Sequence, residues 1–292
     1  MQQGYWVTGF SDAESSFIVL VRKKPLSKTG WSVELRFVIG LHEKDLSILE
    51  YIRAYFGVGT IIRHGKDSLQ YRVGSPKDLK AIIDHFDKFK LITKKRADYE
   101  LFKSVLAMVN RKEHLTVEGL HKIVNIRASV NRGLSAELKD AFPNNIPVPK
   151  PQVEVPQTID PNWLSGFVSG EGCFFVGIGK SKTRVGYSVQ LMFLISQHSR
   201  DQELMERLVS SLGCGKCYPH ANKEYGEFIV RVFSDITDKI IPFFEKYPIK
   251  GMKVNDFADL CKVAELMKNK DHLNPEGLNQ IIKIKAGMNK GR

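Results

Sequence analysis

The 292-residue chain has no apolar run approaching the roughly 18–20 residues of a bilayer-spanning helix, so no membrane partner is expected. Its N-terminus has neither a signal peptide nor an Arg/Ser-rich transit segment, which suits an intracellular protein without a targeting segment. Cysteine is scarce: Cys173, Cys214, Cys217 and Cys261 form no disulfide framework in a chain this long, as expected of a reducing compartment. Cys214-Gly-Lys-Cys217 with His220 imitates a zinc half-site. However, Cys173 and Cys261 form no second pair, and Val58 and Ile61 occupy the matching places in the first half. His42 and His198 recur before a helix with no nucleophile beside them, which argues against a serine or cysteine triad. Acidic residues are also in deficit, 32 against 44 basic ones, for a net charge of +12. That balance points to a polyanionic partner, nucleic acid before membrane.

What the chain does contain is one nine-residue stretch written twice, 157 residues apart. The first copy is Trp6-Val7-Thr8-Gly9-Phe10-Ser11-Asp12-Ala13-Glu14. The second is Trp163-Leu164-Ser165-Gly166-Phe167-Val168-Ser169-Gly170-Glu171. Read as helices, they place Gly9 with Ala13 and Gly166 with Gly170 on one face, so two backbones can approach closely. Each ends in a glutamate at the negative pole of the helix dipole, where a carboxylate loses roughly 0.3–1 kcal/mol. If the helices pack side by side, the two carboxylates also come together and need a cation to hold them. Carboxylate and carbonyl oxygens suit Mg²⁺ or a similar hard ion. Asp12 has Ser169 as its counterpart, an asymmetry that suits a structural role.

The rest of the chain repeats as well. After the first motif the pattern predicts strands over Ser16–Lys24 and Ser32–Leu41 around a Pro25–Gly30 turn. A helix follows over Lys44–Phe56, with Leu46, Leu49, Ile52 and Phe56 buried. A hairpin of Thr60–His64 and Leu69–Val73 comes next, then helices over Pro76–Phe89, Lys95–Asn110 and Val117–Asn131. The second half matches in order: Phe37–Asp45 with Phe193–Asp201, Ile82–Phe89 with Ile240–Tyr247, and Glu113–Ile126 with Asp271–Ile284. Pro143–Pro161 holds six of the twelve prolines and is expected to be a stiff, extended linker. The reading is therefore α+β: two pseudo-symmetric αββαββα halves with antiparallel sheets, at 1–142 and 162–292, joined by the linker at 143–161.

The doubled motif resembles that of the LAGLIDADG homing endonuclease family in its single-chain, two-motif form. Ser15 stands where the family usually has glycine, whereas Gly172 keeps it. The resemblance covers nearly the whole chain and implies that the halves meet at the motif helices, with the two sheets forming a DNA-binding saddle. It implies a monomer that cuts double-stranded DNA at a long asymmetric site and leaves 3′ overhangs. It also implies a catalytic divalent metal: Mg²⁺, with Mn²⁺ substituting and Ca²⁺ binding without cleavage. The origin it suggests is an intron- or intein-borne element, often in a mitochondrial genome. On this resemblance the metal ligands are Glu14 and Glu171 with the carbonyls of Ala13 and Gly170. Gln197 and Lys223 are candidate catalytic residues in support, with Lys66 as the other hairpin lysine. Rival readings are an RNA-binding splicing factor (maturase) acting on intron RNA on the same fold, and a catalytically silent DNA-binding module.

Alternation nominates the groove-facing residues. In the first half they are Ser16, Ile18, Leu20, Arg22, Lys24, Ser32, Glu34, Arg36, Thr60, His64, Gln70 and Arg72. In the second they are Phe175, Ser181, Thr183, Ser188, Gln190, Met192, Tyr218, Lys223 and Arg231. A two-stranded ribbon fits the major groove, where Arg reads guanine and Gln reads adenine. Ile18, Leu20, Val38, Ile62 and Met192 are apolar for such a face and suit thymine methyls, unless they face inward.

Overall fold

The computed structural model describes residues 1–220 and 223–291. Helix α1 (Gln2–Glu14) runs without a turn into β1 (Ser15–Lys23), which pairs antiparallel with β2 (Trp31–His42). Helix α2 (Leu46–Phe56), strands β3 (Thr60–Arg63) and β4 (Ser68–Val73), and helices α3 (Pro76–Lys88), α4 (Lys95–Asn110), α5 (Val117–Ser129) and α6 (Ala136–Ala141) complete the first half. The second half repeats the pattern with α7 (Pro161–Glu171), β5 (Gly172–Lys180), β6 (Tyr187–His198), α8 (Gln202–Leu212), β7 (Lys216–Pro219) and β8 (Tyr225–Val230). Short helices α9 (Phe233–Asp235) and α10 (Ile241–Lys246) follow, then α11 (Lys253–Lys268) and α12 (Pro275–Ala286). Each half has one antiparallel four-stranded sheet, ordered β1-β2-β4-β3 and β5-β6-β8-β7.

The chain divides into two compact units: residues 14–154, and residues 1–13 together with 155–292. In the first, alternate strand residues Phe17, Val19, Leu35, Phe37, Ile39, Tyr71 and Val73 are buried under the helices. Phe17 sits at the centre, its ring within 5.5 Å of those of Phe37, Phe86, Tyr99 and Phe102. In the second unit Phe174 takes that place, against Phe193, Phe244 and Phe257.

The tails of the two halves share one latch. Asn131 and Asn289 adopt left-handed backbone (φ 51° and 53°), a conformation asparagine tolerates better than most residues. Their backbone N–H groups donate to buried Asp98 and Asp256, and their side-chain amides donate to the carbonyls of Phe17 and Phe174. Each latch ties the end of the half to its first strand, and it accounts for the matched asparagine at both tails.

Some local expectations are corrected. Leu46 is 37% exposed and Ile48 is buried in its stead, because Glu43–Asp45 form a 3₁₀ turn and Leu46 only opens α2. The helix matching α3 is split in the second half. Pro242 cannot donate to the preceding turn, and a π-helical turn at Ile236–Ile240 takes up the missing bond between α9 and α10. The linker has no helix or strand between Ala141 and Pro161, as expected. Its first part is nevertheless strapped down: Ile146 N–H donates to Asn125, Ser129 to the Val148 carbonyl, Lys150 to Asp98 and Lys94 to the Val153 carbonyl.

Candidate functional site

The unit formed by residues 1–13 and 155–292 contains the packing that the doubled motif forecasts. Helix α1 meets α7 at glycines. A Cβ on Gly9 would lie 1.9 Å from the Trp163 carbonyl oxygen, and one on Gly166 would lie 2.0 Å from that of Trp6. The contact is reciprocal, as a two-fold relation requires. Only hydrogen fits at either position, so the backbones touch. Around them Trp6, Val7, Phe10, Trp163, Leu164, Phe167 and Val168 are buried.

Asp12 and Ser169, which interrupt the repeat, both have structural partners. The Trp163 indole N–H donates to the Asp12 carboxylate at 2.8 Å, fully buried. Ser169 donates to the Ser165 carbonyl (2.8 Å) and accepts from the Lys250 N–H (3.0 Å). The Lys250 ammonium lies over the Trp6 ring, 5.4 Å from its centroid.

Each of the two helices ends in its glutamate, Glu14 and Glu171, both half-buried. At the end of α7 the backbone turns to extended geometry at Gly172 (φ −74°, ψ 153°) and enters β5 directly. A Cβ on Gly172 would fall 2.5 Å from a Val168 methyl, which explains the glycine there. Ser15, buried at the equivalent place, shows that the first helix accommodates a side chain.

The lysine at the carbonyl end of α7 is Lys253, the first residue of α11, whose ammonium donates to the Gly170 carbonyl. Sequence reasoning passed over this residue. The signal was in the repeat: Lys95, the first residue of α4, occupies the corresponding place 158 residues earlier. Lys223, nominated from its hairpin, donates to the Tyr225 hydroxyl at 3.0 Å and lies over that ring. This bond to Tyr225 raises its pKa. The carbonyl of Lys66 accepts from Arg63 on the other hairpin. Gln197 is half-buried near the end of β6, its side-chain oxygen accepting the His198 N–H at 2.9 Å. Leu41 occupies the matching rung, opposite Leu69.

Most strand residues nominated for the groove lie on the outward sheet faces, whereas Lys24 and His64, expected in strands, lie just beyond them in turns. Opposite the buried row of the first sheet lie Ser16, Ile18, Leu20, Arg22, Ser32, Glu34, Arg36, Thr60, Gln70 and Arg72. Lys24 is in the β1–β2 turn and His64 in the β3–β4 turn. Two guanidinium groups are already oriented by strand neighbours: Arg36 donates to Glu34 at 2.6 Å, and Arg72 to Gln70 at 2.9 Å. On the second sheet Phe175, Ser188, Gln190, Met192 and Tyr218 share the corresponding face, and Ser181 and Thr183 sit in the β5–β6 turn. Arg231, just past β8, lies over the Tyr218 ring, and Lys285 over Phe175. Ile18, Leu20, Ile62 and Met192 are half-buried on these faces. Val38 has the same parity but is only 6% exposed, between Ser16 and Arg72 in the ladder.

Cys214 is buried and the Cys217 thiol donates to the Met205 carbonyl; burial pushes both thiols up to about 11. Among the described residues, no cluster of three or more His, Cys, Asp or Glu side chains has metal-binding geometry. No described helix is long and apolar enough to cross a membrane.

Comparison with known proteins gives one consistent answer. A family model described as LAGLIDADG endonuclease matches residues 7–106 and 164–264. The probable intron-encoded endonuclease 3 of Neurospora crassa is 43% identical over 94% of this chain, and the probable intron-encoded endonuclease 2 of that fungus is 40% identical over 97%. The chain spans 52% and 64% of the length of those two relatives. Among solved structures, the I-SmaMI LAGLIDADG homing endonuclease bound to cleaved DNA superposes with a TM-score of 0.96 at 48% identity, covering 99% of this chain and 97% of the other. The I-LtrWI LAGLIDADG homing endonuclease bound to target DNA gives 0.97 at 39% identity, covering 100% and 99%. I-SmaMI has also been solved on an uncleaved DNA target in the presence of calcium ions, with a TM-score of 0.94 at 47% identity over 98% of each chain.

Proposed function

Because the chain belongs to the LAGLIDADG endonuclease family, we propose that it is a site-specific DNA endonuclease, monomeric, that makes a metal-dependent double-strand break in a long asymmetric target. The observation that carries this reading is the reciprocal glycine contact of α1 and α7, two helices that each end in a glutamate. The cut is staggered and leaves 3′ overhangs. The gene is an intron-borne element of a mitochondrial genome, in keeping with relatives named as intron-encoded.

The donor set fits a hard divalent cation. Magnesium binds through one or two carboxylates, keeps several waters and takes substrate phosphates as further ligands, so it needs no all-protein cage. One carboxylate and one carbonyl stand at the end of each motif helix: Glu14 with Ala13, and Glu171 with Gly170. Bound there, Mg²⁺ or Mn²⁺ supplies charge neutralisation at the phosphate and a water of lowered pKa, while Ca²⁺ supports binding alone. The Gly170 carbonyl already accepts from the Lys253 ammonium, so a cation takes that oxygen only by displacing the lysine. Gln197 presents its amide N–H groups near the end of β6, its oxygen being engaged with the backbone. The sheet faces bind the duplex, with Arg36 and Arg72 held for base edges and the lysines of the turns for phosphates.

The test is a cut from a randomised duplex library, followed by Glu14→Gln and Glu171→Gln on the selected target. Each substitution keeps size and removes one ligand charge. Double-strand cleavage in Mg²⁺ is lost while gel-shift binding in Ca²⁺ is retained; full cleavage by either variant would overturn the assignment.

A further inference from the structure

We propose that Glu227 determines specificity by accepting a hydrogen bond from the exocyclic amino group of a cytosine, in the half-site bound by residues 162–292. The inference rests on the endonuclease reading above and names one base contact within it. Glu227 lies on the face of β8 opposite the buried Phe228 and Val230, level with Ser196 on one side and Tyr218 on the other. Its carboxylate is held at both oxygens. His220 Nε2 lies 3.0 Å from Oε2, and the Ser196 hydroxyl donates to Oε1 at 3.4 Å. The His220 ring packs against Tyr225 at 4.9 Å, whose hydroxyl accepts from Lys223. A carboxylate supported by this chain of neighbours has a set direction.

A negative group on a surface that receives a polyanion is repelled unless it meets a donor. Base edges in the major groove offer two kinds of amino donor, on cytosine and on adenine. The adenine amino group sits between two acceptors, its own N7 and the O4 of the paired thymine. The cytosine amino group has an acceptor on one side only, the guanine O6. An ionised carboxylate is acceptor-only with about four lone-pair sites. Two are taken by His220 and Ser196, leaving one on each oxygen for a donor and none that can donate to N7. The match is to cytosine.

The first half differs at this rung. Gln70 stands level with Gly40 and Ile62, as Glu227 does with Ser196 and Tyr218, and it pairs with Arg72 rather than with a histidine. Equivalent places in the two sheets therefore read different bases, which makes the target asymmetric. The ladder also locates the contact. Gly172 is level with Ile195, and the Ser196–Glu227 rung lies one residue further toward Glu171. The cytosine thus belongs to the part of the half-site nearest the cut.

The experiment is a cleavage profile over every single-base variant of the selected target, for wild type, Glu227→Gln and His220→Ala. Wild type shows a cytosine preference at one inner position of that half-site. Glu227→Gln, which can both donate and accept, moves that preference toward adenine, changing the C-to-A ratio by roughly 5- to 150-fold, the range of a good base contact. All other positions stay as they were. His220→Ala broadens the same position, which a purely structural pin on the hairpin would not do selectively. An unchanged profile for Glu227→Gln, a uniform loss over all variants, or a change in the other half-site would overturn the proposal alone. A wild type that cuts no duplex in the library would overturn the endonuclease reading together with it.

Discussion

Replacing Gly9 by alanine adds one methyl group where α1 and α7 meet backbone to backbone. The added Cβ would meet the Trp163 carbonyl oxygen at 1.9 Å, with the Trp163 carbon at 2.8 Å and the Phe167 nitrogen at 2.9 Å. All three are backbone atoms, so no side chain can swing away. Real Cβ atoms essentially never approach another heavy atom within 3.0 Å, so α1 and α7 must part by on the order of 1 Å. Overpacking of this kind costs about 1–3 kcal/mol. The same displacement stretches the buried 2.8 Å bond from the Trp163 indole to Asp12 beyond hydrogen-bonding range. Stranding that indole N–H adds about 1–3 kcal/mol, for a total of roughly 2–6 kcal/mol. At about 2–4 °C per kcal/mol for a chain somewhat smaller than this one, the melting temperature falls by roughly 4 °C or more. Thermal melts of Gly9→Ala and Gly166→Ala measure it, with Gly74→Ala as control, since its Cβ would make only ordinary contacts of 3.5 Å or more. Cleavage should fall further than stability, because parting the helices shifts the glutamates at their ends. A Gly9→Ala protein that melts with the control and cuts like wild type would refute the helix contact.

Two further outcomes are expected. His85 is buried among aromatic rings beside the Tyr55 hydroxyl, and burial lowers its pKa to about 3. The unfolded chain therefore takes up the proton first: the stability this group contributes is full above pH 6.5 and is lost as pH falls from 6.5 toward 3. The loss at pH 5 is about 2 kcal/mol, and melts at pH 7.5 and pH 5 should show a smaller difference for His85→Gln than for wild type. Arg36→Ala, if Arg36 reads a guanine, should cost about 1–3 kcal/mol and relax one or two positions in the half-site bound by residues before Pro143. A base-variant profile at two salt concentrations checks this, because a phosphate contact would instead weaken all sequences alike and flatten the salt slope by about one.

Much of this was legible in the sequence because the chain carries its own comparison. The two motif copies identified the helices, the glycine contact and the terminal glutamates, since close packing restricts residue type more than any other constraint here. Strand faces were legible from alternation, which fails at Val38 and at Ile229, both buried although their parity points outward. Lys253 went unread because a lysine opening a helix looks like any solvated charge, and its partner is a backbone carbonyl that leaves no mark in sequence. The His220–Glu227 pair was invisible for another reason. It depends on the ladder register between β7 and β8, which alternation does not fix. The buried valines of the linker, Val153 and Val155, were lost among prolines.

The grouping of residues 1–13 with 155–292 has a consequence for how the protein is made. Helix α1 leaves the ribosome well before the helix that covers Gly9, which ends at Glu171. At about 5–20 residues per second the wait is on the order of 8–30 seconds. The unit from Glu14 to Glu154 can close in that interval, because its sheet, helices and Asn131 latch all lie within it. Until α7 emerges, the Gly9 face of α1 has no partner helix to receive it. A fragment ending before Pro161 lacks α7 and so leaves the Gly9 face of α1 without the helix that packs against it.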